Sequence, residues 1–276
     1  MESVFDVPVA TRTIISDISV KLDIETIFNQ IPFLMNIPNY PCTIVAMYYK
    51  NSSKGDLSFL QDRKDNVSFR NAVNIIFRIY DQLINVKVSA HGNFQITGCK
   101  NKSNCYKVIC YFIDLCKTYC PDVILSSDNS TISIIFYTVM TNIVFSTNFK
   151  IDKQKLNNLI IHNEKFYNLY ETNFGYTGMN IKIPLSEDWR KFMIDKFTFS
   201  PQNQTWQQSK IVFDDYFTEN MKEKKKNKQR FNTFLVFHSG KIIMSGVCEE
   251  NMANDYNFFK KYLVDNRQFI EEKIEK

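Results

Sequence analysis

The chain has 276 residues and a mass of 32.6 kDa, with 44% apolar and 23% charged residues. That balance excludes an intrinsically disordered chain and suffices for a sizeable core. The formal charge of +5, from 34 basic and 29 acidic side chains, permits an anionic partner without demanding one.

Met1–Ala10 carries acidic residues and no apolar segment, so it does not read as a secretory signal. Thr13–Asp23 alternates as a strand does and ends in Lys21-Leu22-Asp23, where Asp23 can cap a short helix. Residues 50–82 read as an insertion whose apolar stretch Phe69–Tyr80 can supply a strand of its own. Leu83–Ala90 alternates again. In His91-Gly-Asn-Phe-Gln-Ile-Thr-Gly98 the first glycine marks a tight hairpin turn, and the second marks the exit from the sheet. The helical pattern Lys102–Lys117 then sets Cys105, Val108, Ile109, Phe112 and Leu115/Cys116 on one stripe.

Ile132–Phe145 is the longest apolar stretch, but Ser133, Thr138, Thr141 and Asn142 interrupt it, and it is too short and polar to span a bilayer. Asn142–Asp152 repeats the pattern of Thr13–Asp23, with Asp152 in the capping position. Residues 184–230 form a second insertion. It ends in a basic run holding Lys222, Lys224, Lys225, Lys226, Lys228 and Arg230, which reads either as a solvated loop or as a phosphate-contacting arm. Phe231–His238 alternates, Ser239–Gly246 matches His91–Gly98, and the helix Asn251–Val264 aligns Met252, Tyr256, Phe259 and Leu263. Residues 266–276 read as a charged tail.

Strand, short helix, hairpins and long helix thus occur twice in the same order. Each helix has one apolar face to lay on a sheet, so the fold class is a duplicated α+β sandwich. Its repeats cover residues 11–120 and 131–265.

Enzyme signatures are missing. The chain has no GxGxxG and no HExxH, and Gly240-Lys241 is followed by Ile242 rather than by the Ser or Thr of a phosphate-binding loop. The three histidines, His91, His162 and His238, are scattered, and no Ser or Cys has a recognisable nucleophile context. Cys105, Cys110, Cys116 and Cys120 lack the CxxC spacing that zinc favours and read as packing residues. No metal and no cofactor are expected. The odd count of seven cysteines points to free thiols in a reducing compartment, cytosolic or nuclear.

Aromatics make up 14% of the chain, more than one core needs. Period two places Phe231, Thr233, Leu235 and Phe237 on one face with Ile243 and Ser245, and Phe234, Val236, Ile242 and Met244 on the other. The second set suits a core beneath the helix. The first would leave Leu235 and Phe237 on an open face, a mark of a binding surface.

Asn142-Ile143-Val144, Phe237-His-Ser-Gly-Lys241 and Met244-Ser-Gly246, with Lys21-Leu-Asp-Ile-Glu-Thr-Ile27 and Ile96-Thr-Gly98 in the first copy, resemble the TATA-box-binding protein family. The likeness is greater to the divergent TATA-binding-like proteins of large nucleocytoplasmic DNA viruses, whose long insertions and Ile/Lys/Asn-rich composition this chain shares. It spans about residues 11–265. The resemblance implies a saddle: a curved antiparallel sheet with helices on the convex side and a concave face seated in the minor groove of AT-rich double-stranded DNA.

Carried over residue by residue, Phe237 matches an intercalating wedge, with Tyr176 or Phe174 where its partner would be. Asn142 matches a central amide. Thr97 and Ser245 match paired hydroxyls, Val144 and Ile243 flank them, and Lys241 matches a basic residue beside the turn. Phe237 can alternatively be a core phenylalanine, and Asn142 a strand-end residue. In the first copy Ser89 stands in the wedge position, Cys42 or Tyr40 near its partner and Thr13 in the amide position, while Asp17 shares the face. The resemblance thus implies a non-enzymatic, monomeric viral transcription initiation factor without a membrane. It would bind AT-rich promoters and recruit the viral RNA polymerase or initiation factors through its convex helices. The implied location is the viral factory in the host cytoplasm, with the virion or host nucleus as alternatives. Two other readings are a protein-interaction scaffold that has lost autonomous DNA binding, and a positioning module of a nucleic-acid enzyme.

Overall fold

The computed structural model describes residues 6–18, 20–32, 42–56, 58, 71–125, 132–169, 178–200, 202–220 and 229–272. The first elements are β1 (Val9–Ile18), β2 (Lys21–Leu22), α1 (Ile24–Gln30), β3 (Cys42–Tyr49), β4 (Ser52–Gly55) and β5 (Ala72–Ile79). They continue with β6 (Gln82–Ser89), β7 (Asn93–Cys99), α2 (Lys102–Tyr119), β8 (Ile124–Leu125) and β9 (Ser133–Ser146). Then come α3 (Lys153–Ile161), β10 (Tyr167–Leu169), β11 (Gly178–Pro184), β12 (Met193–Ser200), β13 (Thr205–Val212) and α4 (Phe213–Asn220). The chain closes with β14 (Phe231–Phe237), β15 (Lys241–Gly246), α5 (Glu249–Asp265) and α6 (Arg267–Ile270). The class is α+β, with antiparallel strand pairing throughout the main sheet.

The chain divides into two compact units. The N-terminal unit holds Arg12–Thr138 and Met193–Ile211, and the C-terminal unit holds Val139–Phe192, Val212 onward and the segment up to Thr11.

In the N-terminal unit the strands lie in the order β1-β7-β6-β5-β3-β4. Asp23 starts α1 by accepting from the backbone N–H groups of Glu25 and Thr26, both at 3.1 Å, as a short acidic side chain before a helix should. Helix α2 lays the Cys105–Val108–Ile109–Phe112–Leu115 stripe on the sheet, and Phe112 meets Phe94 edge-on at 5.7 Å and Phe77 at 6.5 Å. A second flank of the helix is also covered. Cys110 and Ile113 are buried, Tyr106 rests on Phe136 and Phe197, and Lys117 sits over the rings of Phe199 and Trp206.

That cover comes from β12 and β13, which lie inside the expected insertion 184–230. Strand β12 pairs with the start of β9, Asp195 opposite Phe136 and Thr198 opposite Ser133. The expected insertion 50–82 also contains a structural strand. Strand β5 runs between β3 and β6 with only Arg78 exposed. Burial on both faces removes the alternation that would have marked it as part of the sheet.

In the C-terminal unit the order is β10-β11-β14-β15-β9. Asp152 caps α3 through the N–H groups of Gln154 and Lys155, at 3.0 and 3.1 Å. Helix α5 buries Met252, Tyr256, Phe259 and Leu263 on Phe234, Val236, Ile242 and Met244, all four of which are fully buried. The ring of Phe234 lies 4.2 Å from that of Phe259. Gly240 turns the β14–β15 hairpin at φ +84°, and a Cβ there would stand 2.3 Å from Thr147 Oγ1 and 2.4 Å from the Phe149 carbonyl oxygen.

Two readings need correction. The segment taken as a charged tail is partly structural: Ile270 of α6 is fully buried, and Glu271 bridges to Ile151. Its few apolar residues, Phe269, Ile270 and Ile274, stand among charges and gave no periodic signal. Nor are all the thiols free, because Cys99 and Cys105 are joined in a disulfide across the β7–α2 turn, with Cα atoms 6.5 Å apart. Only the turn's geometry brings them together. The remaining cysteines are free and buried, and burial pushes Cys42 and Cys110 up to about 12, as inert packing groups.

Candidate nucleic-acid interface

The sheet of the C-terminal unit has one face under α5 and one that no described helix is seen to pack on, and strand pairing fixes which side chains share the latter, open face. Directly opposed residues run in rows across the strands. One row is Asn142, Ser245, Thr233, Lys182 and Tyr167. The next is Val144, Ile243, Leu235 and Asn180. Phe237 stands opposite Gly178, and Lys241 opposite Ser146. The face is therefore an aliphatic stripe ending in a phenylalanine, bordered by hydroxyls, amides and two lysines. Its strands contribute no carboxylate to it.

Phe237 is half-buried and stands apart from the core cluster to which Phe234 belongs. The alternative of a core phenylalanine is thereby set aside. Asn142 lies well inside β9 rather than at a strand end. Its Oδ1 and that of Asn180 are buried acceptors without a hydrogen-bond partner next to the aliphatic stripe. Val144, Ile243, Ser245 and Lys241 occupy this face with them.

Gly178 explains how Leu235 and Phe237 can lie flat here. A Cβ on Gly178 would come 2.6 Å from Leu235 Cδ1 and 3.4 Å from Phe237 Cε1. Gly178, Asn180, Lys182 and Tyr167 were not singled out in the sequence, although the alternation of Gly178-Met-Asn-Ile-Lys-Ile-Pro184 carries their face assignment. Phe174 and Tyr176 lie outside the described residues, as do Lys222, Lys224, Lys225, Lys226, Lys228 and Tyr40. Arg230 is exposed just before β14.

The open face of the N-terminal unit differs in chemistry. Thr13 and Thr97 oppose each other, followed in their row by Asn85 and the buried Ile76 and Ala46, and Ile15 and Gln95 are followed by Lys87 and the buried Asn74. Ser89, in the position matched to a wedge, uses its Oγ to accept from the Asn93 N–H at 3.2 Å and so closes the β6–β7 turn. Asp17 hydrogen-bonds Tyr137, whose hydroxyl is pushed above the usual tyrosine range by burial first and by that carboxylate second.

No protein-family model matches the chain. It is 28% identical over 247 residues to Uncharacterized protein 335L of Invertebrate iridescent virus 6, a match covering 84% of this chain and 70% of that protein. Among solved structures it is similar to Methanococcus jannaschii TBP, at 12% identity and a TM-score of 0.46, over 95% of this chain and 99% of that one. No described helix is long and apolar enough to cross a membrane. Among the described residues no cluster of His, Cys, Asp and Glu is placed to hold a metal ion.

Proposed function

We propose that this protein is a TATA-binding-like transcription initiation factor of a large DNA virus. It binds AT-rich double-stranded DNA through the open sheet face of its C-terminal unit, without catalysis. The observation that carries this reading is the composition of that face: Val144, Ile243, Leu235 and Phe237 beside Asn142, Ser245 and Thr233, with lysines and no carboxylate on the strands. In the minor groove an A·T pair offers only acceptors, which amide and hydroxyl donors satisfy, while an aliphatic stripe leaves the guanine amino group unpaired. An apolar ring at the border of the stripe suits a wedge between base steps.

The wider architecture supports a duplicated saddle with repeats near 11–120 and 131–265. In each unit the first strand neighbours the last, followed by the others in descending order: β1-β7-β6-β5-β3 and β9-β15-β14-β11-β10. Aspartate caps and positive-φ glycine turns recur at matching places, Asp23 with Asp152 and Gly92 with Gly240. On this reading the helices recruit polymerase or initiation factors. The N-terminal face, which mixes apolar and polar side chains and carries Asp17 and a turn-closing Ser89, favours a second role for that unit in holding a partner protein.

The experiment is binding to fluorescent AT-rich and GC-rich duplexes labelled at both ends for energy transfer, at two salt concentrations. AT preference with end-to-end shortening, lost in Phe237→Ala, is the expected result. Sequence-blind binding that disappears with salt would refute minor-groove reading and leave the scaffold.

A further inference from the structure

The open face of the C-terminal unit ends in an aromatic patch of which the duplex reading uses only the lysine. Tyr167 lies on β10, the outermost strand of this unit's sheet, and is 57% exposed. Its ring meets that of Phe231 at 5.7 Å and 68°. Lys182, directly opposite Tyr167, holds its ammonium 5.8 Å from the Phe231 ring centre, and no carboxylate pairs with it among the described residues. Arg230 is exposed one residue before Phe231. Phe231 and Phe237 occupy the two ends of β14 on the same face, so this patch and the aliphatic stripe lie along one strand.

An exposed aromatic ring beside a lysine with no carboxylate partner among the described residues, at the margin of a sheet, is the arrangement that takes an unpaired base by stacking while a cation meets its phosphate. A duplex would have to unstack a base step to reach it, whereas a single strand presents its bases already free. A protein partner of acidic character would use the lysine but has no need of an edge-presented ring. We propose that Tyr167, Phe231 and Lys182 form a stacking site for single-stranded nucleic acid, distinct from the duplex-reading stripe. Tyr167 offers the free ring face, Phe231 holds Tyr167 edge-on, and Lys182 supplies the phosphate contact.

The test uses the full chain and a fluorescein-labelled twelve-residue oligothymidylate, read by anisotropy alongside the AT-rich duplex. Tyr167→Ala should weaken oligothymidylate binding by about tenfold, the scale of one lost base stack. Tyr167→Phe should retain it. Lys182→Gln should lower the slope of log affinity against log salt by about 0.7, as one phosphate contact to a single strand requires. Tyr167 is exposed, so its loss should leave the thermal midpoint unchanged. Parent-like oligothymidylate binding by Tyr167→Ala, or no binding by the parent, would overturn the proposal. The two readings fail separately: single-strand binding without duplex preference removes only the duplex function, and the converse removes only this site.

Discussion

Phe234 and Phe237 lie three residues apart on one strand and face opposite ways, which makes them a sharp pair for substitution. Phe234 is fully buried and packs on Phe259 at 4.2 Å. Its truncation to alanine removes a buried ring and leaves a cavity, at a cost of about 3–5 kcal/mol. Phe237 is half-buried and lies opposite Gly178 on an open face, so its truncation should cost only about 1 kcal/mol of burial. For a unit of this size roughly 3–4 °C of thermal midpoint accompanies each kcal/mol. Phe234→Ala should therefore lower the midpoint by about 10 °C or more and Phe237→Ala by about 4 °C. Calorimetry on both variants measures this, with duplex energy transfer at a temperature where both remain folded. Phe237→Ala should abolish bending, while folded Phe234→Ala should bend DNA as the parent does. Equal destabilisation by the two substitutions would refute the face assignment and, with it, the interface.

Gly178→Ala should leave the thermal midpoint within a few degrees, because the new methyl displaces mainly the mobile tip of Leu235, yet it should weaken AT-duplex binding by disturbing Leu235 and Phe237. Unchanged duplex affinity would show that these side chains do not read DNA. Asp152→Ala should cost about 1 kcal/mol by uncapping α3, measured by denaturant unfolding. Backbone hydrogen bonding from Lys155 holds the Asp152 carboxyl below its ordinary 3.8. Its contribution is therefore complete above pH 3.8 and is lost as pH falls through the lower folded-state value. The parent and Asp152→Ala should thus converge in stability toward strong acid, and a constant gap across pH 2–7 would argue against the cap.

Much of the interface was legible because strands reveal their faces locally. Alternation along Phe231–Phe237 and Lys241–Gly246 separates core from open side with no knowledge of neighbours. Gly178–Pro184 carries the same signal, though its partner strands are needed to see that Gly178 lies against Phe237 and Lys182 beside Tyr167. The second flank of α2 was illegible, since Tyr106, Cys110, Ile113 and Lys117 look like an ordinary mixed face until β12 and β13 arrive from nearly ninety residues further on. Strand β5 was legible as an apolar stretch within Phe69–Tyr80 but its place in the middle of the sheet was not: buried on both faces, it has no alternation to show.

By itself the sequence determined the class, the capping aspartates and the turn glycines, because periodicity, capping and positive φ are properties of a few adjacent residues. Only the tertiary structure decided which strands are neighbours, that the late hairpin covers α2, and that Tyr167, Phe231 and Lys182 meet at one edge. Strand pairing joins residues far apart along the chain, and its register depends on the packing of the whole sheet rather than on any local pattern.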